Sequence, residues 1–232
     1  MAKRRRTSGI QKRERASSEA MSRRIDQGSA PALPDWRLLL IGGVLLVGVL
    51  ILALVLIFGG TPSASAGVQQ PNDGSAHVNI GVDCRDPAQQ SEATNCGTDP
   101  YSSVPAVSGP HWDPSGVAQW GVYSTPQPET QLIHSLEHGG VVIWYDPEAL
   151  DADSIDALTS YVNTQTASGV SGRYKFILSP WGGADPLPAP VVATSWTWLL
   201  ELETADIDAI DEFARSHYGD APEPNGGPGP PG

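Results

Sequence analysis

Residues 128–145 read PETQLIHSLEHGGVVIWY, and the way this stretch divides sets the expected fold. Residues 128–138 are expected as a short helix that stops at Gly139-Gly140, because glycine lets the backbone turn tightly into the next element. Residues 140–145 are continuously apolar, β-branched and aromatic, as a buried strand is. Working outward, residues 117–124 alternate in part, residues 174–178 alternate again, and residues 191–202 carry Val191, Val192, Trp196, Trp198 and Leu200, which fits one long strand. Two further helices are expected. Residues 153–165 place Ile155, Leu158 and Val162 at helical spacing, with acids at the start that suit the helix dipole. Residues 205–218 place Ile207, Ile210, Phe213 and Ala214 on one side, with Thr204 as N-cap and Gly219 as stop. The sum is an α+β fold: a mostly antiparallel sheet with two or three helices.

A hydrophobic run precedes this domain. Residues 38–60 hold 23 residues without a charge, roughly 34 Å of helix and enough to cross a bilayer core of about 30 Å. Trp36 and Arg37 border it, so residues 36–60 are expected as one transmembrane helix. Residues 1–37 contain ten Lys/Arg against four acids, a net of +6. The whole chain has 14 basic and 26 acidic residues, which leaves residues 38–232 with four basic and 22 acidic, a net of −18. This bias puts the N-terminus inside and the C-terminal domain outside the cytoplasm, as a single-pass protein of the cell membrane. Ala64-Ser-Ala66 resembles a signal cleavage site, but the run exceeds the usual h-region of about 7–15 residues, which favours an anchor.

The acidity of the outer part excludes nucleic acid as a partner, since an acidic surface repels phosphate. Cys84 and Cys96 are the only cysteines. An even count in an oxidising compartment favours a disulfide, although a pair of thiolate metal ligands is the alternative. Composition then divides the chain. Residues 1–35 are a disordered basic tail, 61–76 a flexible linker, 77–220 the α+β domain, and 221–232 a Pro/Gly-rich disordered tail.

Chemistry concentrates on the first stretch. If residues 128–138 are helical, His134 and His138 project from one face about 5–6 Å apart at Cβ, close enough to share a metal ion. Glu137 is a further ligand, an acceptor for an imidazole N–H, or a base. His111, in the rigid turn Ser108-Gly-Pro-His111, is the candidate third imidazole. His77 is read as exposed after the linker, and His217 as a cation favoured at a helix C-terminus. For any lone histidine the ordinary reading is a hydrogen-bonded or surface imidazole. Both methionines, Met1 and Met21, precede the hydrophobic run. Imidazoles without thioethers suit Zn(II) or Cu(II), so zinc or copper is the expected cofactor.

The chain also spells His-x-x-Glu-His, the inverted zinc-protease pattern, in which the glutamate activates water. The match is short and recurs by chance. Ser108-Gly-Pro-His111, Gly121-x-Tyr123, His134-Ser-Leu-Glu-His138-Gly-Gly-Val, Trp181-Gly182 and Phe213…His217…Ala221-Pro-Glu223 resemble the bacterial domain-of-unknown-function family 3105 over most of the outer domain. Pro105-Ala-Val stands where that family usually has Pro-Pro. The resemblance implies a membrane-anchored envelope protein and supplies no reaction. Three functions remain: a divalent-metal-binding domain using His111, His134, His138 and Glu137; a non-metal structural or protein-interaction domain of the envelope; and, less favoured, a metal-dependent hydrolase.

Overall fold

The computed structural model of the chain describes residues 66–168 and 172–231. The expected cytoplasmic tail and membrane span lie outside them. Among the described residues no helix is long and apolar enough to cross a membrane.

The elements in chain order are β1 (Val68–Gln69), β2 (His77–Val78), β3 (His111–Trp112), β4 (Gly121–Val122), α1 (Glu129–Glu137), β5 (Val141–Tyr145), α2 (Ala152–Ser168), β6 (Phe176–Pro180), β7 (Val191–Ser195), β8 (Trp198–Leu202) and α3 (Ile207–His217). One six-stranded sheet runs in the order β1-β8-β7-β5-β6-β4, and β2 and β3 form a separate parallel pair. The larger sheet is mostly antiparallel; only β5–β6 and β6–β4 pair in parallel. The domain is therefore α+β with three helices, as the hydrophobic periods anticipate.

β5, β6 and β7 are buried along their whole length; β5 is a continuous apolar run, and the polar Ser179, Thr194 and Ser195 of the other two are hydrogen-bonded. Their pleat still sorts the side chains. Val142, Trp144, Ile177 and Val192 face Leu132, Ile133 and Leu136 of α1. Val141, Ile143, Phe176, Leu178 and Val191 face Leu158 and Val162 of α2 and Ile210 and Phe213 of α3. The sheet is thus the middle of three layers, and each large side chain buried in it contributes about 1.5–3 kcal/mol.

The turn out of α1 explains its two glycines. His138 caps the helix, Gly139 takes φ +77°, Gly140 N–H donates to Ser135 O at 3.0 Å, and Gly139 N–H donates to Leu136 O at 2.8 Å. This is a Schellman stop, whose left-handed residue favours glycine. A Cβ at Gly140 would meet the Trp120 ring at 2.7 Å and Ser135 O at 2.9 Å, so close packing fixes the second glycine.

Several boundaries differ from the sequence expectation. Residues 191–202 are a hairpin, not one strand: Trp196-Thr197 reverse the chain, with Thr197 at φ +62°. Of residues 117–124 only Gly121–Val122 join the sheet. The N-cap of α3 is Asp206, whose carboxylate accepts from Ala209 N–H, rather than Thr204. Part of the segment expected as a linker is built into the sheet, since β1 pairs with β8. The Pro/Gly-rich C-terminal segment is tied down as well. Lys175 Nζ donates to Pro224 O at 2.7 Å and to Gly226 O at 3.0 Å, and Trp120 Nε1 donates to Pro228 O at 2.9 Å.

Candidate metal centre

Three short elements converge on one point. β2 presents His77, β3 presents His111, and the last turn of α1 presents His134 and Glu137. The β2–β3 register sets His77 directly opposite His111. One ligand atom from each of His77, His111, His134 and Glu137 lies within 4.8 Å of the other three. A tetrahedral zinc ion with Zn–N bonds of about 2.0–2.1 Å needs ligands roughly 3.3 Å apart, so these atoms would have to close in to hold one.

The histidines are oriented from behind. His111 Nδ1 lies 2.8 Å from Gly109 O, and His134 Nδ1 lies 2.6 Å from Trp112 O. A carbonyl only accepts, so each Nδ1 carries a proton and each Nε2 points into the cluster, where that of His111 shares with Glu137 a proton that a bound metal would replace. Histidines that ligate metals are held this way, by their other ring N–H. The Ser-Gly-Pro-His turn supplies the first of these carbonyls: Gly109 sits at φ +111°, and a Cβ there would strike Tyr101 at 2.9 Å.

Glu137 Oε2 lies 2.9 Å from His111 Nε2 and 3.8 Å from His77 Nε2. Burial pushes this carboxyl up, but the His111 hydrogen bond and the neighbouring His111, His134 and His77 outweigh it, holding Glu137 below the usual carboxylate range. Burial pushes the His134 imidazole down to about 4, a shift the Trp112 carbonyl opposes and His111 and His138 reinforce. At neutral pH His134 is therefore a neutral imidazole and Glu137 an anion, the forms in which each ligates a cation. His111 and His134 are buried, and only His77 is substantially exposed, at 41%.

Of the four residues singled out in the sequence, His111, His134 and Glu137 come together and His138 does not join them. Its ring lies 4.7 Å from that of His134, but its Nδ1 faces Glu223 O at 3.2 Å and Gly226 packs against it. Helical i, i+4 spacing does bring the two rings together, but the Nδ1 of His138 is turned to the C-terminal segment rather than to the cluster. The residue that sequence reasoning missed is His77. The alternation of Val78, Ile80 and Val82 hints at an extended segment there, but pairing with a strand more than thirty residues later leaves no local mark. His217 is apart from the cluster, stacked on Trp198 and bonded to Ala66 O.

Cys84 and Cys96 form a disulfide, and no described cysteine is free, which rules out the thiolate-pair alternative. The geometry also departs from the inverted zinc-protease pattern. There both motif histidines hold the metal and the glutamate stands off to activate water, whereas here Glu137 sits within the cluster and His138 is outside it. The large cleft of the domain, about 830 Å³ and bordered by Arg85, Trp112, Glu129 and Trp181, is lined by none of the four cluster residues.

A family model described as "Protein of unknown function (DUF3105)" matches residues 93–228. That span contains His111, His134, Glu137 and His138, while His77 and Cys84 precede it. No curated protein and no solved structure matches the chain.

Proposed function

The chain belongs to the DUF3105 family of proteins of unknown function, and on that premise we propose that its folded domain is a membrane-anchored, extracytoplasmic holder of one divalent metal ion, copper or zinc. The observation that carries this reading is the convergence of His77, His111, His134 and Glu137 on one point. Two of those imidazoles are already turned by backbone carbonyls so that Nε2 faces inward. Three imidazoles and one carboxylate suit Zn(II) or Cu(II), and the absence of methionine beyond Met21 removes the thioethers that Cu(I) prefers. The disulfide supports an oxidising compartment, and the charge bias across the hydrophobic run supports an outward-facing domain.

The His111–Glu137 hydrogen bond favours a second reading, in which the same residues only lock α1 to β3 and the domain serves as a structural or interaction module of the envelope. Hydrolysis receives no such support, since the cleft does not open onto the cluster.

Metal analysis of the purified full chain separates the two readings. Stoichiometric uptake of Zn(II) or Cu(II) at micromolar supply, abolished by His134→Ala, is the expected result. No uptake of either ion sinks the metal reading and leaves the structural lock.

A further inference from the structure

His77 differs from the other members of the cluster in how it is held. His111, His134 and Glu137 are buried against the main core, whereas His77 is exposed and sits on a strand of two residues. β3 holds the residues on either side of His77: His111 N–H donates to Ala76 O, and Asp113 N–H to Val78 O, each at 2.9 Å. In this ladder the carbonyl of His77 faces away from β3. Asn95 Nδ2 donates to it at 2.9 Å.

Asn95 is the residue before Cys96. The chain leaves β2, runs to Cys84, and returns through Asn95 to the outer edge of β2, closed by the Cys84–Cys96 bond. Val78, the neighbour of His77, packs with Cys84 and Cys96 in a small apolar cluster separate from the two core faces of the sheet. Trp112 Nε1 donates to Val82 O at 2.8 Å and pins the same loop beside β3. A two-stranded pair without such support is marginal in water.

We propose that the Cys84–Cys96 loop is the clamp that positions His77 as a metal ligand, so that the affinity of the centre depends on the disulfide. This rests on the metal reading above. His77 is a ligand, Asn95 and the disulfide are positioning groups, and their contribution is preorganisation of an otherwise mobile imidazole. Groups that support a metal ligand without touching the ion typically contribute roughly 10–100-fold to affinity, and an effect of that size is expected here.

The test is a binding cycle on the full chain with Zn(II) and Cu(II), each alone, titrated against a chromophoric chelator. Serine replacement is used instead of reduction, because free thiolates would themselves capture the ion. Cys84→Ser/Cys96→Ser should bind roughly 10–100-fold more weakly than the wild type. His77→Ala should also bind more weakly, and adding the serine pair to His77→Ala should change little, because groups acting through one ligand are non-additive. Asn95→Gly keeps the disulfide and tolerates the φ of +65° at that position. It should weaken binding in the same direction, and it decides the matter if the serine pair fails to fold. Unchanged affinity in both the serine pair and Asn95→Gly overturns the inference, as does a loss that persists undiminished without His77. A wild type that takes up neither ion is a different outcome, for it removes the metal reading itself.

Discussion

Glu137 Oε2 lies 2.9 Å from His111 Nε2, a bond that ties the last residue of α1 to the first residue of β3. Both partners are buried. Removing one leaves the other without its hydrogen bond in a place water does not reach, a change that costs about 1–3 kcal/mol. Glu137→Ala is therefore expected to lower the stability of the metal-free chain by about that amount, read as a lower urea midpoint at constant slope. Glu137→Gln keeps an acceptor for the imidazole and should be milder in stability. On the metal reading it should still reduce affinity, because it removes the one anionic member of the cluster. Equal stability of all three proteins would falsify the bond's structural role.

The two histidines of the His-x-x-Glu-His stretch should behave differently. His134→Ala removes a proposed ligand whose Nδ1 is held by Trp112 O and is expected to abolish Zn(II) uptake at micromolar supply. His138→Ala removes a ring that faces Glu223 O and should leave affinity within a few-fold of the wild type. Isothermal titration of the two variants side by side checks this. Equal loss in both would restore the paired-histidine site that letter spacing suggests.

Acid should destabilise the metal-free protein through His134. Its folded imidazole is pushed down to about 4 from an ordinary value of 6.5. Between those two values the unfolded chain takes up a proton that the folded chain refuses, so stability is complete above about pH 6.5 and falls as pH drops toward about 4. Glu137, held below its usual range, adds a loss of the same sign at the acid end. Thermal melts across this window should fall in the wild type and fall less in His134→Gln. A wild-type Tm that is flat over the window would contradict a buried neutral imidazole.

Local patterns account for the parts of this molecule whose causes are local. The α1–Gly-Gly–β5 unit is legible because a Schellman turn needs a left-handed residue and a helix and a buried strand differ in period. The Trp196-Thr197 reversal is not, because it lacks any turn-forming residue. Thr197 is held at φ +62° from outside, with its N–H on Val107 O and its carbonyl on Gln70 N–H. The centre shows the same division. His134 and Glu137 are close in sequence and visible together, and His111 stands out by its rigid turn, while His77 arrives only through the β2–β3 pairing. Helical spacing places His138 beside His134 correctly, but its Nδ1 is turned away by the carbonyl of Glu223, a residue far along the chain that leaves no mark near the helix. The C-terminal segment has the composition of a disordered tail, yet a lysine distant in sequence holds it in place.

That lysine carries the last prediction. Lys175 is buried, and its ammonium donates to His138 O, Pro224 O and Gly226 O at 2.9, 2.7 and 3.0 Å. An ammonium has three donors, and these carbonyls use all of them. Two come from the C-terminal segment and one from the cap of α1, so a single side chain joins that segment to the turn behind the candidate metal centre. Lys175→Met keeps much of the apolar stem and removes every donor. Its expected effect is a loss of about 1–3 kcal/mol, because three inward-facing carbonyls lose their partner. The damage should be local before it is global. The amides of Glu223 and Gly226, bonded to Glu137 O and Glu223 O, should lose protection in hydrogen exchange, while those of β5 and β6 keep theirs. Limited proteolysis should then cut beyond residue 220 in the variant before it cuts the wild type there. Unaltered exchange at Glu223 and Gly226 would assign the hold on this segment to Trp120 and to the packing of Gly226 and Gly227 on His138 instead.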